Sequence, residues 1–475
     1  MKHITKRLFI FSALLPFLLS VLPATAVSAL DDPDIRNSKA SLVYCVEPDV
    51  VLWSENSDMQ VYPAALTKLM TAVLAAESVS SGEIGLDDYL TASAAAVNAT
   101  EGNNIKIQAG ECLKLRDLIG AMILAGANDA ALVIAEGIAG SVSDFVASMN
   151  EKATELGMKD TVYTNPTGLH DGSMVTTASD LLLLAKYASG IQFLSELCGS
   201  IRITIDATDK SDARYIGTRN YLLSTRVSSD YYLSTANGMI CGSTYEAGFC
   251  IIATAQHDGL NYIAIVLGAD TTTVIKNPGV TGTDENGNTV VITPPEYKYI
   301  MNGFVEAAEL LTWADKNFKY IKAVDNSTPV CQIPIKLAAE VDSVALLPEA
   351  PIELYVPVDI DRNKDIQLSW VLDSEYLTAP VKAGQRVGIL TVTYKGEKIG
   401  EVPLIVKSNI IQSGGLTLLN RIEQLASTPF FKVILITIAV GTVIYVFATS
   451  VSRSRKQAAA KREFIKKNRY LGSGK

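Results

Sequence analysis

The stretch Pro63-Ala64-Ala65-Leu66-Thr67-Lys68-Leu69-Met70-Thr71 places an amine, Lys68, in the first turns of what reads as a helix. Pro63 suits a first-turn position, where its missing N–H costs nothing. Behind it Leu66, Leu69, Met70, Val73 and Leu74 recur at helical spacing and predict a buried face. An amine held this way can transfer a proton or hold an anion. Other chemistry is scarce. Histidine occurs only as His3, His170 and His257, too few for a His-based triad or a His-rich zinc site. The six cysteines, Cys45, Cys112, Cys198, Cys241, Cys250 and Cys331, are irregularly spaced and include no C-x-x-C pair. They imply neither a metal nor a redox site. Mostly buried thiols with one bridge at most is the reading, and no cofactor is implied.

The two ends of the chain set its compartment. Lys2, Lys6 and Arg7 precede the apolar run Leu8 to Leu22, followed by small residues. That pattern predicts a secretory signal peptide over residues 1–29, cleaved after Ala29 or Ala26. Residues 433–452 hold no charge and at about 1.5 Å per residue span a ~30 Å hydrocarbon core. A basic tail, 453–475, follows and predicts a cytoplasmic C-terminus. The net charge is −9; the tail carries nine Lys/Arg against one Glu and the first 29 residues carry three cations, which leaves −20 for residues 30–452. An exterior this acidic argues against nucleic acid, which requires a basic face. The expected location is the cell membrane, single-pass, with an extracytoplasmic ectodomain.

That ectodomain is too long for one small core. Residues 40–54 alternate apolar and polar and read as two strands joined at Glu47-Pro48-Asp49. Helical periodicity covers 112–140, 142–157 and 178–198, and strand character returns over 232–268. Two strands, a helical block and further strands predict an α/β sandwich, a helical lobe on an antiparallel sheet. Thr271 to Pro295, rich in Thr, Gly, Asn and Pro, reads as a surface insertion or flexible loop, and Tyr299 to Phe318 as a closing helix. From Asp325 short β-branched runs form a small all-β module, ending in a hairpin across Lys395-Gly396-Glu397. The expected organisation is a main domain over 30–320, a β domain over 325–408, an amphipathic stem over 409–432 and a membrane helix over 433–452.

Several segments resemble the D-alanyl-D-alanine carboxypeptidases, low-molecular-mass penicillin-binding proteins. The opening stretch is similar to their P-A-S-x-T-K-x-M-T. Asn150 to Met158 resembles M-N-x-K-A-x-x-L-G-M, Asn165 to Asp171 resembles N-x-x-G-L-x-D, and Thr177 to Leu181 resembles T-A-x-D-L. Thr218-Arg219-Asn220-Tyr221-Leu222-Leu223 looks like the family's N-x-L-L approach to its last motif. The resemblance covers nearly all of 38–406. It implies a β-lactamase/penicillin-binding-protein-like fold and a serine peptidase site built on S-x-x-K, S-x-N and K-T-G.

The working residues implied by that resemblance are largely absent. Ala65 occupies the nucleophile position, while Lys68 is kept. Gly126-Ala127-Asn128 stands for S-x-N, losing the hydroxyl and keeping Asn128. Ile240-Cys241-Gly242 stands for K-T-G. Losing a charge-assisted contact of the Lys type costs ~1.5–3 kcal/mol. Lys68 is left to hydrogen-bond its neighbours, to remain a solvated charge, or to bind substrate. Asn128 can bind a peptide amide, and capping the helix that follows is an equal alternative. Cys241 is the one replacement nucleophile, if Lys68 lowered its pKa; a packed, inert thiol is the plainer reading. Thr67 and Ser243 are weaker candidates. The resemblance therefore implies a membrane-anchored pseudoenzyme at the cell wall that binds peptidoglycan stem peptides or wall proteins in a scaffolding or regulatory role. The alternative is an active serine-type D-Ala-D-Ala carboxypeptidase trimming peptidoglycan stems.

Overall fold

A computed structural model describes residues 30–283, 289–294 and 296–471; the signal peptide predicted over 1–29 lies outside them. The chain divides into two compact units, one of residues 30–319 with 355–359 and one of residues 320–354 with 360–471.

The first unit is built on a five-stranded antiparallel sheet. Its strands are β1 (Ala40–Cys45), β2 (Val50–Glu55), β3 (Ala236–Thr244), β4 (Gly248–His257) and β5 (Leu260–Ala269), in spatial order β2-β1-β5-β4-β3. The inner strands are apolar on both sides. Leu42, Tyr44, Ile252, Ile263 and Ile265 pack into one core, and Val43, Cys45, Ile251, Ala264 and Val266 into a second. Period-two alternation thus feeds two cores from one sheet. The first core lies under a helical lobe: α1 (Thr67–Ser80), α2 (Leu115–Ala125), α3 (Asn128–Ala139), α4 (Val142–Glu155) and α5 (Ala178–Ser189). The second core is closed by α6 (Asn302–Asn317), through Phe304, Ala307, Leu310 and Leu311.

Two expectations change here. The helix after Pro63 was expected to bury one face, but α1 is buried nearly all round, through Lys68, Leu69, Met70, Thr71, Ala72, Val73, Ala75 and Ala76. It runs through the middle of the lobe, so polar residues on its far side are enclosed as well. The segment 271–295 is not an irregular loop. Thr271–Asn277 pairs antiparallel with Glu296–Met301, and Val280–Thr283 with Thr289–Thr293. Asn277-Pro278-Gly279 is a break between strands, and the Thr/Val/Ile runs on either side carry the β preference. Tyr299 to Met301 belong to this ribbon, so the closing helix starts at Asn302.

The second unit contains a six-stranded sheet. Its hairpin, Arg386–Tyr394 with Glu397–Val406, turns on Lys395 (φ 49°) and Gly396 (φ 89°), the left-handed pair that a two-residue hairpin loop requires. Gly414–Ser427 forms the amphipathic helix, and Pro429–Leu471 is one continuous helix. Its Pro429–Ile465 part is long and apolar enough to cross a membrane.

Candidate functional site

The opening of α1 is an unusual turn. Ala64–Leu66 is a short 3-10 segment that runs directly into the α-helix at Thr67. Ala64 sits in the left-handed region, φ 48°, which costs a non-glycine residue roughly 1 kcal/mol. Gly168 holds this turn in place: a Cβ at residue 168 would lie 1.8 Å from the Ala64 carbonyl oxygen, so only glycine fits. Asn165 fixes the Gly168 loop, since its Oδ1 accepts from Thr167 N at 3.1 Å, Thr167 Oγ1 at 2.8 Å and Gly168 N at 2.8 Å. Thr71 Oγ1 ties the loop to α1 by donating to the Pro166 carbonyl at 2.8 Å.

Lys68 follows one turn after Ala65. It is 2% exposed, which removes the solvated-charge reading. Its Nζ donates to the Thr167 carbonyl. Burial first, and the Arg219 cation second, push its pKa down to about 7. At neutral pH about half of these amines carry no proton and are competent to accept one.

The second motif lies at the α2–α3 junction. Gly126 ends α2 at φ 69°, ψ 30°, the left-handed C-cap where glycine is favoured. A Cβ there would make only ordinary contact, 3.5 Å from Asn103 Nδ2. Gly126→Ala is therefore expected to cost ~1 kcal/mol from the backbone alone, and a thermal melt of the variant checks this. Asn128 is not the cap of α3. Ala127 holds that position without a side-chain bond, and Asn128 Nδ2 instead donates to the Glu101 carbonyl at 2.7 Å. The neighbouring Asp129 carboxylate accepts from Ile105 N and Ile107 N, both at 3.0 Å, fixing the 101–108 loop beside the site. Burial raises the Asp129 pKa.

The third motif lies on β3, and alternation splits it. Ile240 is buried in the core under the helical lobe, while Cys241 packs with the opposite core against α6. Cys241 Sγ donates to the Arg219 carbonyl at 3.5 Å, and burial pushes its thiol pKa up to about 12. Lys68 does not act on it. Arg219 lowers that pKa, but desolvation outweighs it. Gly242 lies against Ala65, because a Cβ on it would come within 2.4 Å of Ala65 Cβ. Thr67 is fully buried, with its hydroxyl on Met174 Sδ at 3.6 Å.

These elements enclose a cleft of about 150 Å³. Ala65, Lys68, Gly126, Asn128, Thr167, Ser243 and Thr244 are among the residues lining it, but Ile240 and Cys241 are not. A larger cavity, about 300 Å³, lies toward the other end of β3 at Asn237 and Met239, away from the motif residues. Among the described residues no acidic side chain lines the smaller cleft, and Arg219, which lies outside its lining, acts on Lys68. Sequence reasoning named Arg219 only as part of a motif. Nothing in its local pattern marks it as a second cation beside Lys68. The arrangement can bind an anion and can accept a proton at Lys68. At position 65 it offers a methyl group.

Over residues 318–412 the chain matches the family described as "Penicillin-binding protein 5, C-terminal domain". The D-alanyl-D-alanine carboxypeptidase DacF of Bacillus subtilis is 26% identical over 390 residues, 81% of this chain and 89% of that protein. A D-alanyl-D-alanine endopeptidase of Pseudomonas aeruginosa is 30% identical over 262 residues, 53% of this chain and 81% of that protein. Penicillin binding protein 6B from Escherichia coli shares the fold, with a TM-score of 0.56 at 22% identity over 80% of this chain and 98% of that one. Residues 26–271, more than half of the sequence, match the D-alanyl-D-alanine carboxypeptidase family, and the chain belongs to that family.

Proposed function

We propose that this protein keeps the carboxypeptidase frame at the cell wall without its covalent chemistry, and binds peptidoglycan stem peptides there in a scaffolding or regulatory role. The observation that carries this reading is Ala65. It stands one turn before a buried, cleft-lining lysine, where the reaction needs a hydroxyl. A methyl group cannot form an acyl bond, and among the described residues the hydrogen bond given for the Lys68 amine goes to the Thr167 carbonyl rather than to a cleft hydroxyl. Lys68 in the cleft wall and the lack of carboxylates among its described lining residues support retention of an acid-terminated ligand. The long apolar helix supports a single-pass anchor, and the basic residues behind it support a cytoplasmic tail.

The competing reading is an active serine carboxypeptidase. The two separate on one assay of the full-length protein in detergent micelles. Exposure to a fluorescent penicillin is expected to leave no adduct that survives denaturation, and incubation with a stem pentapeptide is expected to release no D-alanine. An adduct or released D-alanine would establish the active reading. Calorimetry with a soluble stem peptide then tests the binding role, and absence of heat at millimolar peptide would remove it.

A further inference from the structure

The six-stranded sheet of the second unit is bounded on one side by Ile366–Leu372, Ile-Gln-Leu-Ser-Trp-Val-Leu. Among the described residues this strand pairs only with Arg386–Tyr394. Its other edge presents the unpaired backbone donors and acceptors of the alternate residues Leu368, Trp370 and Leu372. Soluble proteins protect such an edge with lysine, proline, a bulge or a cover. None of these interrupts this strand: it contains no charge and no proline, and its register with the neighbouring strand is unbroken.

The side chains at the edge are incompletely covered. Leu368 lies opposite Val392 and Trp370 opposite Leu390, and both of those partners are fully buried. Residues directly opposite share a face, so Ile366, Leu368, Trp370 and Leu372 project toward the core side of the sheet. Even so, Leu368 is 40% and Trp370 44% exposed. The core runs out at the edge strand, leaving two large apolar groups without a neighbour beyond them.

We infer that this edge is a homodimer interface: the strand pairs antiparallel with the same strand of a second copy, about a two-fold axis through Ser369. The sequence is self-complementary in that register. Ile366 lies opposite Leu372, and Leu368 opposite Trp370. All four apolar residues stay on one face, and Gln367, Ser369 and Val371 meet on the other. A shift of one residue would place the apolar set of one copy against the polar set of the other. No like charges oppose each other, because the strand has none. The pairing satisfies the open backbone edge and covers Trp370 with the partner's leucine, and the axis makes the contact isologous and closed.

The test uses the full-length chain in micelles, with Cys112, the exposed thiol, replaced by serine. Ser369 lies on the axis, so Ser369→Cys places two thiols on directly opposed residues, with Cα atoms about 4.5–5.5 Å apart, within disulfide reach. Mild oxidation is expected to give a covalent dimer from Ser369→Cys and none from Gln367→Cys, whose opposite residue is Val371. Light scattering is expected to give a mass of two chains before oxidation, and of one chain for Trp370→Lys. Equal cross-linking at 367 and 369, no cross-linking at 369, a single-chain mass for the parent protein, or an unchanged mass for Trp370→Lys would each overturn the inference.

Discussion

Ala65→Ser is expected to turn a protein that takes no penicillin label into one that takes it slowly. The introduced hydroxyl would stand one helical turn before Lys68, at the wall of the existing cleft. Lys68 titrates at about 7, which suits an amine that must accept the serine proton at neutral pH. The rate should rise with pH, reach half of its limit near 7 and level off above it, because only the neutral amine accepts the proton. The complete rate should not return. Gly126 supplies no second hydroxyl and Ile240 no cation, and a missing general acid–base or electrostatic group typically costs ~10²–10⁴-fold. A labelling time course across pH checks this. Absence of label in the variant would show that the frame has lost the geometry as well as the nucleophile. A rate that fell with pH would exclude Lys68 as the base.

The second large effect concerns stability. The folded state holds Lys68 at about 7 against an ordinary 10.5, so between these values the unfolded chain binds more protons than the folded one. Stability must then increase with pH across this window. The penalty for the buried charge is complete below about pH 7 and is gone above about 10.5. At ~1.4 kcal/mol per pH unit it is on the order of 5 kcal/mol. Lys68→Met removes the penalty but leaves the Thr167 carbonyl unpaired, which costs ~1–3 kcal/mol. The variant is expected to be more stable than the parent by roughly 3 kcal/mol at pH 6, and to lose the rise between pH 7 and 10. Denaturant titration of both proteins at several pH values measures this. An equal slope in the two proteins would assign the rise to other groups. A serine at 65 would use the same amine for chemistry.

Much of the fold was legible because its signals are local. The strands at 40–55 and 236–269 announce themselves by β-branched runs and turn residues, and the lobe by helical periodicity. The hairpin at Lys395-Gly396 is written in two residues. The site was legible as an alignment of motifs but not as a geometry. Ile240 and Cys241 are adjacent in sequence, yet the pleat sends them into different cores. Reading which side faces the cleft requires knowing where the helices lie. Asn128 was open to two roles because a helix start one residue earlier or later changes its job. The start at Asn128 leaves its amide free to hold the Glu101 carbonyl. Arg219 could not be found from spacing, since its influence on Lys68 acts through space between distant segments. The 271–301 ribbon was missed because its glycines and asparagines outweighed the β-branched runs beside them.

The contact between Gly168 and the Ala64 carbonyl bears on how family membership is recognised. A side chain at 168 has no room, and Asn165 must grip the loop that carries it. Both residues belong to the signature by which a carboxypeptidase is identified, yet steric fit at Gly168 and the loop hydrogen bonds of Asn165 account for their presence here. Such positions stay informative about architecture whatever residue stands at position 65. A search that scores them alike with the nucleophile reports ancestry, and turnover has to be read from the few positions that packing leaves unconstrained.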